Sequence, residues 1–130
     1  MAGDHNRAVK RILVVDDDDD VRVGLVRALS LQDGLEVTAA RDGFEAGFFF
    51  GVFRPQLVIL DMVMPGMDGL DVCARIRHFS DEDGVKIIVL TGYPGCGSNE
   101  HSIIAGADLY LTKPQDVSTL VTHIEDLLGE

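Results

Sequence analysis

A chain of 130 residues suits one domain with a single core and leaves no room for a catalytic domain with a separate cap or lid. Its net charge of −11 repels the phosphates of nucleic acids and anionic lipids, which excludes a DNA-binding module and makes metal cations and basic protein surfaces the natural counterparts. Hydrophobic residues at 46%, with 6% aromatic and no Trp, predict a globular chain with an aliphatic core.

Cys73 lies in a helical pattern and Cys96 in a Gly-rich loop, contexts that fit reduced intracellular thiols and a cytoplasmic setting better than a disulfide framework. His5, His78, His101 and His123 have no HxxxH or CxxC spacing, which argues against a zinc site. The N-terminus lacks an apolar h-region, and the aromatic-rich run 47–53 is far too short to span a bilayer.

Residues 1–9 read as a flexible polar N-terminus. Ile12-Leu13-Val14-Val15 is the first buried strand, and it runs into the five acids of 16–20. Val21, Leu25, Ala28 and Leu29 recur at helical spacing, so a helix starts within the acidic run. Asp18, Asp19 and Asp20 are then placed to cap it and offset its dipole. Asp16 and Asp17 come too early for that; they end the strand, where adjacent carboxylates repel unless a positive charge lies beside them.

A weakly alternating stretch, 35–39, predicts an edge strand. Asp42-Gly43-Phe44-Glu45 has the spacing of a capping box opening a second helix, which Pro55 stops. Phe48, Phe49 and Phe50 cannot all face one side of that helix; at least one is exposed or fills the seam beside the first helix, and core packing is weighed above a partner surface.

Leu57-Val58-Ile59-Leu60 reads as a strand buried on both faces, delivering Asp61 to a Pro-Gly loop before a third helix that starts at Asp68-Gly69. Lys86-Ile87-Ile88-Val89-Leu90 is the fourth strand and ends in Thr91-Gly92. The segment 92–97 is too rich in Gly and Pro for a helix, so a short fourth helix is expected only from 98 or 99 to 105. Residues 108–112 form the last strand, delivering Lys113-Pro114, and Val117, Leu120, Val121, Ile124, Leu127 and Leu128 stripe a terminal helix.

The order βαβαβαβαβα demands right-handed crossovers and a mainly parallel α/β sheet with helices on both faces. All strand carboxyl ends then share one edge, where Asp16, Asp17, Asp61, Thr91 and Lys113 become neighbours, although an ion pair alone would also account for Lys113. Three carboxylates make a hard-cation site suited to Mg²⁺. Cation and ammonium together converge positive charge on Asp61, as an incoming phosphoryl group requires. Thr91 is placed to donate to a phosphoryl oxygen, with Gly92 leaving room beside it.

Over residues 10–128 the chain resembles the receiver domains of two-component response regulators. The residues that carry the likeness are Ile12 to Asp17, Asp61-x-x-Met64-Pro65-x-x-x-Gly69, Leu90-Thr91-Gly92, and Gly106-Ala107-Asp108 through Lys113-Pro114. The resemblance implies a flavodoxin-like (βα)5 three-layer sandwich with a five-stranded parallel sheet in the order 2-1-3-4-5. It implies Asp61 as the phosphoacceptor, served by a sensor histidine kinase or histidine phosphotransfer protein, and Mg²⁺ held by Asp17, Asp61 and the Val63 carbonyl, with Asp16 acting through water. Lys113 and Thr91 would bind the phosphoryl group, Tyr110 would be an aromatic switch moving with Thr91, and the Lys113-Pro114 bond would be cis.

Such a domain is a switch rather than an enzyme, although it would catalyse its own phosphotransfer and slow autodephosphorylation. A downstream effector stays unnamed, a phosphorylation-dependent homodimer stays open, and no output domain follows the last helix.

The acidic run continues to Asp20 where the family often has Pro, strengthening cation attraction without adding a ligand. Val63, Met64, Gly92 and Tyr93 flank the phosphoryl position, and Val63 and Tyr93 are expected to tune water access to the acyl phosphate. The Gly-rich 92–97 loop is expected to tighten on phosphorylation. Two other readings are a degenerate receiver acting as a binding module, opposed by the intact acid–Thr–Lys set, and a haloacid-dehalogenase-like phosphohydrolase. The second needs an acid two residues after the nucleophile, where this chain has Val63.

Overall fold

A run of four aliphatic residues within a strand has no polar face to give to water, so it must be covered on both sides, and three such runs, 12–15, 57–60 and 87–90, decide this architecture. The computed structural model describes residues 9–61, 63–64, 67–79, 84–91, 106–113 and 115–129, with the backbone alone at 63–64, 67–70, 79 and 91. Strands β1 (Lys10–Val15), β2 (Leu35–Ala40), β3 (Leu57–Leu60), β4 (Lys86–Thr91) and β5 (Leu109–Thr112) form one parallel sheet in the order β2-β1-β3-β4-β5. This is the predicted 2-1-3-4-5 order, with β2 on an edge. Four helices are described: α1 (Asp19–Ser30), α2 (Gly43–Phe53), α3 (Gly69–Phe79) and α4 (Val117–Leu128). The expected short helix before residue 106, the 92–97 loop and Pro114 lie outside the described residues.

Side chains alternate across the sheet, so each central strand feeds two cores. Leu13, Val15, Val58, Leu60, Ile87 and Val89 meet Ala46 of α2 and Val72, Cys73 and Ile76 of α3. Ile12, Val14, Leu57, Ile59, Ile88 and Leu90 meet Leu29 of α1 and Leu120 and Ile124 of α4. The result is the expected three-layer sandwich. Cys73 is buried in the first core, and the loss of solvation pushes its thiol up to about 11, which keeps it protonated near neutral pH.

Local chemistry sets the helix ends. Asp18 caps α1, its side chain accepting from the Val21 N–H at 3.1 Å, with Asp19 and Asp20 in the first turn as predicted. Asp42 caps α2 by accepting from the Glu45 N–H at 2.9 Å. The reciprocal half of the box differs from expectation. Glu45 reaches past Asp42 to the Arg41 N–H (2.8 Å) and the Arg41 guanidinium (2.9 Å), a charge-assisted pair that the cap alone does not offer. At its other end α2 closes on Arg54 in the left-handed region (φ 57°), a conformation that commonly ends helices, and Pro55 follows, which cannot continue the helix. Arg11 Nε donates there to the carbonyls of Phe53 (3.1 Å) and Arg54 (2.8 Å).

A second clamp fixes the entry to β5. Arg77, at the end of α3, donates to the Val85 and Gly106 carbonyls and pairs with Asp108 Oδ2 at 2.5 Å, while the same carboxylate oxygen accepts from the Ile87 N–H at 2.8 Å. Gly106 sits at φ 93°, and a Cβ there would lie 2.8 Å from Arg77 Cγ. Glycine is therefore required by both backbone and neighbour.

Candidate functional site

Register alone brings the distant acids together. Val15 pairs with Leu60 across β1 and β3, so the next residues, Asp16 and Asp61, leave the sheet side by side. The ladder carries one step further: the Asp16 N–H donates to the Ala40 carbonyl at 3.1 Å and the Asp61 N–H to the Val15 carbonyl at 2.9 Å. Both side chains are thereby held at the rim, with Asp16 only 3% and Asp61 8% exposed, whereas Asp17 is exposed. One oxygen from each of Asp16, Asp17 and Asp61 lies within 4.8 Å of the other two.

On β4 and β5, Thr91 pairs with Thr112, so Lys113 leaves the sheet at the same rim. Its Nζ donates to Asp16 Oδ2 at 2.8 Å and stands 3.9 Å from Asp61 Oδ2. Ion pairing and site assembly are thus the same contact: one ammonium spans two buried carboxylates. Three negative charges against one positive leave the cluster in excess, a balance that a hard dication with oxygen ligands would correct. Asp16 already has one hydrogen bond on each oxygen, from Lys113 on Oδ2 and from the Asp18 N–H (3.0 Å) on Oδ1.

The remaining expected residues are placed by the backbone or stand apart. Val63–Met64 forms a two-residue strand antiparallel to Met67–Asp68, a small hairpin directly after Asp61, with Val63 opposite Asp68. Tyr110 sits on β5 opposite Val89, half-buried against the core shared with α2 and α3. Gly92, Tyr93 and the Lys113-Pro114 bond cannot be placed, as residues 92–105 and Pro114 lie outside the described residues.

Arg22 was not anticipated. Its Nη1 donates to the Asp16 carbonyl at 3.0 Å and its Nη2 pairs with Asp19 Oδ1 at 2.5 Å, tying the first turn of α1 to the end of β1. The i, i+3 spacing from Asp19 was visible in the sequence, but nothing there marks a guanidinium that reaches back to a strand-end carbonyl.

A doubly wound parallel sheet with an acidic trio and a lysine at its carboxyl edge defines a class of phosphoryl- or cation-handling domains. The family model for the response regulator receiver domain matches residues 12–125, and the chain belongs to that family. It is 43% identical over 118 residues to the response regulator MprA of a Mycobacterium species (strain KMS), a match covering 91% of this chain and 50% of that protein. The chain therefore spans about half the length of such relatives.

Among solved structures, a CheY-like receiver domain protein from Methanospirillum hungatei superposes with a TM-score of 0.85 at 30% identity, covering 94% of this chain and 95% of the other. A signal receiver domain from Bermanella marisrubri gives 0.81 at 38% identity, covering 92% and 98%. The flavodoxin-like fold is thereby established, and the domain is a receiver module of two-component signalling, a family of switches that works with histidine kinases or phosphotransfer proteins. Among the described residues no helix is long and apolar enough to cross a membrane.

Proposed function

We propose that Asp61 accepts a phosphoryl group from a phosphohistidine on a sensor kinase or phosphotransfer protein. A carboxylate oxygen of Asp61 attacks phosphorus, the new P–O bond forms as the P–N bond breaks, and the imidazole leaves with the bonding pair and takes up a proton. Lys113 opposes the charge that develops on the phosphoryl oxygens, and burial of Asp61 strengthens that effect. Asp17, Asp61 and the Val63 carbonyl would hold Mg²⁺, with Asp16 acting through water because both its oxygens already accept hydrogen bonds. Bound there, the ion supplies charge neutralisation for the transferring group. Arg22 holds the strand-end backbone from which Asp16 projects.

Thr91 and Tyr110 would read the new charge, Thr91 by hydrogen bonding to it and Tyr110 by changing its packing, so that a partner surface alters with phosphorylation. The same site would carry out its own phosphotransfer and slow hydrolysis, with Val63, Met64, Gly92 and Tyr93 bordering the path of water. We assign the chain to the cytoplasm.

The observation that supports this reading most is the Lys113 ammonium spanning Asp16 and Asp61 inside a three-carboxylate cluster. Incubation with acetyl phosphate and Mg²⁺, followed by borohydride reduction of the acyl phosphate and peptide mapping, should place the label on Asp61. Label on Asp16 or Asp17, or none at all, would refute the assignment.

A further inference from the structure

The bases of this chain differ in whether an acid answers them. Arg22, Arg41, Arg77 and Lys113 are each held by a carboxylate within 2.9 Å. Arg11, Arg54 and Lys86 have no acid in ion-pair reach among the described residues, although acids outnumber bases by 22 to 11 in the sequence. All three line one cavity of about 610 Å³ at the amino edge of the sheet, and no acid lines it with them.

Three strand entries build this cavity. The Arg11 N–H donates to Gln56 Oε1 at 2.9 Å, the Gln56 N–H to the Arg11 carbonyl at 2.8 Å, and the Lys86 N–H to the Gln56 carbonyl at 3.0 Å, so the starts of β1, β3 and β4 are locked together. Arg11 is pinned by its Nε on the Phe53 and Arg54 carbonyls, which leaves both Nη groups without a partner among the described residues. Phe50 comes from one core layer and Leu127 and Leu128 from the other, giving the cavity an apolar wall on each side of the sheet edge. Arg54 adds an independent sign. It is the one non-glycine residue with positive φ (57°) among the described residues, at a helix end where glycine would sit without strain. Its guanidinium makes no hydrogen bond or ion pair among the described residues that would offset that strain.

We propose that this cavity binds an organic phosphate of nucleotide size, its phosphoryl groups on Arg11, Arg54 and Lys86 and its ring on the apolar wall. The volume lies within the roughly 300–1,000 Å³ of small-molecule sites. Guanidinium forks take phosphoryl oxygens two at a time, and cations rooted on β1, on the end of α2 and on β4 suit a chain of phosphates better than a single anion. The net charge of −11 does not bar such a ligand. Charges more than about 8 Å apart are largely screened at physiological salt, so the acid-free lining sets the local field. Gln56 and Asp61 stand at opposite ends of β3, roughly 17 Å apart, so the cavity is separate from the phosphoacceptor.

Calorimetric titration of ATP into the full chain in EDTA, with amide NMR spectra recorded alongside, tests this. ATP should bind with Kd below about 500 µM at low salt, and more weakly as salt is raised. The amide signals of Arg11, Gln56 and Lys86 should move, and those of Asp16 and Asp61 should not. R54G should weaken binding about tenfold while the free protein melts no lower than the wild type, because glycine accepts this backbone without strain. K86Q should weaken binding by a similar factor. Adenosine should not bind measurably, and tripolyphosphate should bind several-fold more weakly than ATP. Absence of ATP binding up to about 5 mM, signal changes confined to the acidic rim, wild-type affinity in both R54G and K86Q, or tripolyphosphate binding as tightly as ATP overturns the proposal.

Discussion

The carboxyl rim of the sheet and the outer face of α2 break opposite rules. At the rim, two carboxylates that ought to face water are nearly sealed from it, held by Lys113, backbone amides and the end of the β1–β3 ladder. On α2, two phenylalanines and a valine that ought to be covered stand exposed, with no element above them among the described residues. The difference lies in what each departure does to the monomer. Buried charges are coupled to their neighbours, so altering one disturbs folding. Exposed apolar groups touch little of their own chain, and altering one should change only what the chain meets.

Substitutions can break that contrast, the largest at Lys113. Lys113→Ala leaves Asp16 and Asp61 without their ammonium and should cost about 1–3 kcal/mol of stability in urea denaturation without added metal, less than a fully buried pair because Lys113 retains some contact with solvent. Adding Asp16→Asn should recover part of that loss, and a double-mutant cycle showing no coupling would mean the contact contributes nothing. Next comes Asp18→Ala, which removes the cap of α1 beside the same rim and should lower stability by about 1 kcal/mol, seen as a lower melting temperature.

Phe44→Ser should fall within about 0.5 kcal/mol of the wild type in the same urea assay, since the ring covers little of its own chain. A loss as large as that of Lys113→Ala would show that the outer face of α2 supports the monomer after all. The smallest effect is at Glu45, whose carboxyl is held below the usual carboxylate range by the Arg41 guanidinium. A lowered folded value means that this pair supports folding above the ordinary carboxylate range and fades as pH falls through the folded titration. A carbon-detected NMR titration should place the Glu45 midpoint below 4.5, and Arg41→Gln should move it upward.

The strands and the acidic cluster were legible because each rests on short-range signals: aliphatic runs of strand length, and an acid or lysine at the point where each run ends; the strand order came only from the resemblance to receiver domains. Parallel topology then does the rest, since it carries Asp16, Asp61 and Lys113 to one edge regardless of their separation in the chain. The start of α1 was legible to within the acidic run, because Val21 opens the helical period and Asp18 to Asp20 stand before it as candidate caps, of which Asp18 is the one that caps. What escaped was long-range use of arginine. Arg22, Arg11 and Arg77 each donate to backbone carbonyls, and a carbonyl leaves no mark in a sequence.

The capping box was read correctly at Asp42 and incompletely at Glu45, since Arg41 competes for the same carboxylate. The outer face of α2 stayed ambiguous for a related reason. A period can assign a buried side only when the other side is polar, and in α2 both sides are apolar.

The most direct measurement is intact mass after incubation with acetyl phosphate, with and without Mg²⁺, for the wild type, Asp61→Asn, Asp17→Asn and Lys113→Ala side by side. The wild type should gain one phosphoryl group only when Mg²⁺ is present, Asp17→Asn and Lys113→Ala should gain markedly less, and Asp61→Asn should gain none. Equal phosphorylation of Asp61→Asn and the wild type, or a wild type that remains unmodified with Mg²⁺ present, would contradict the account.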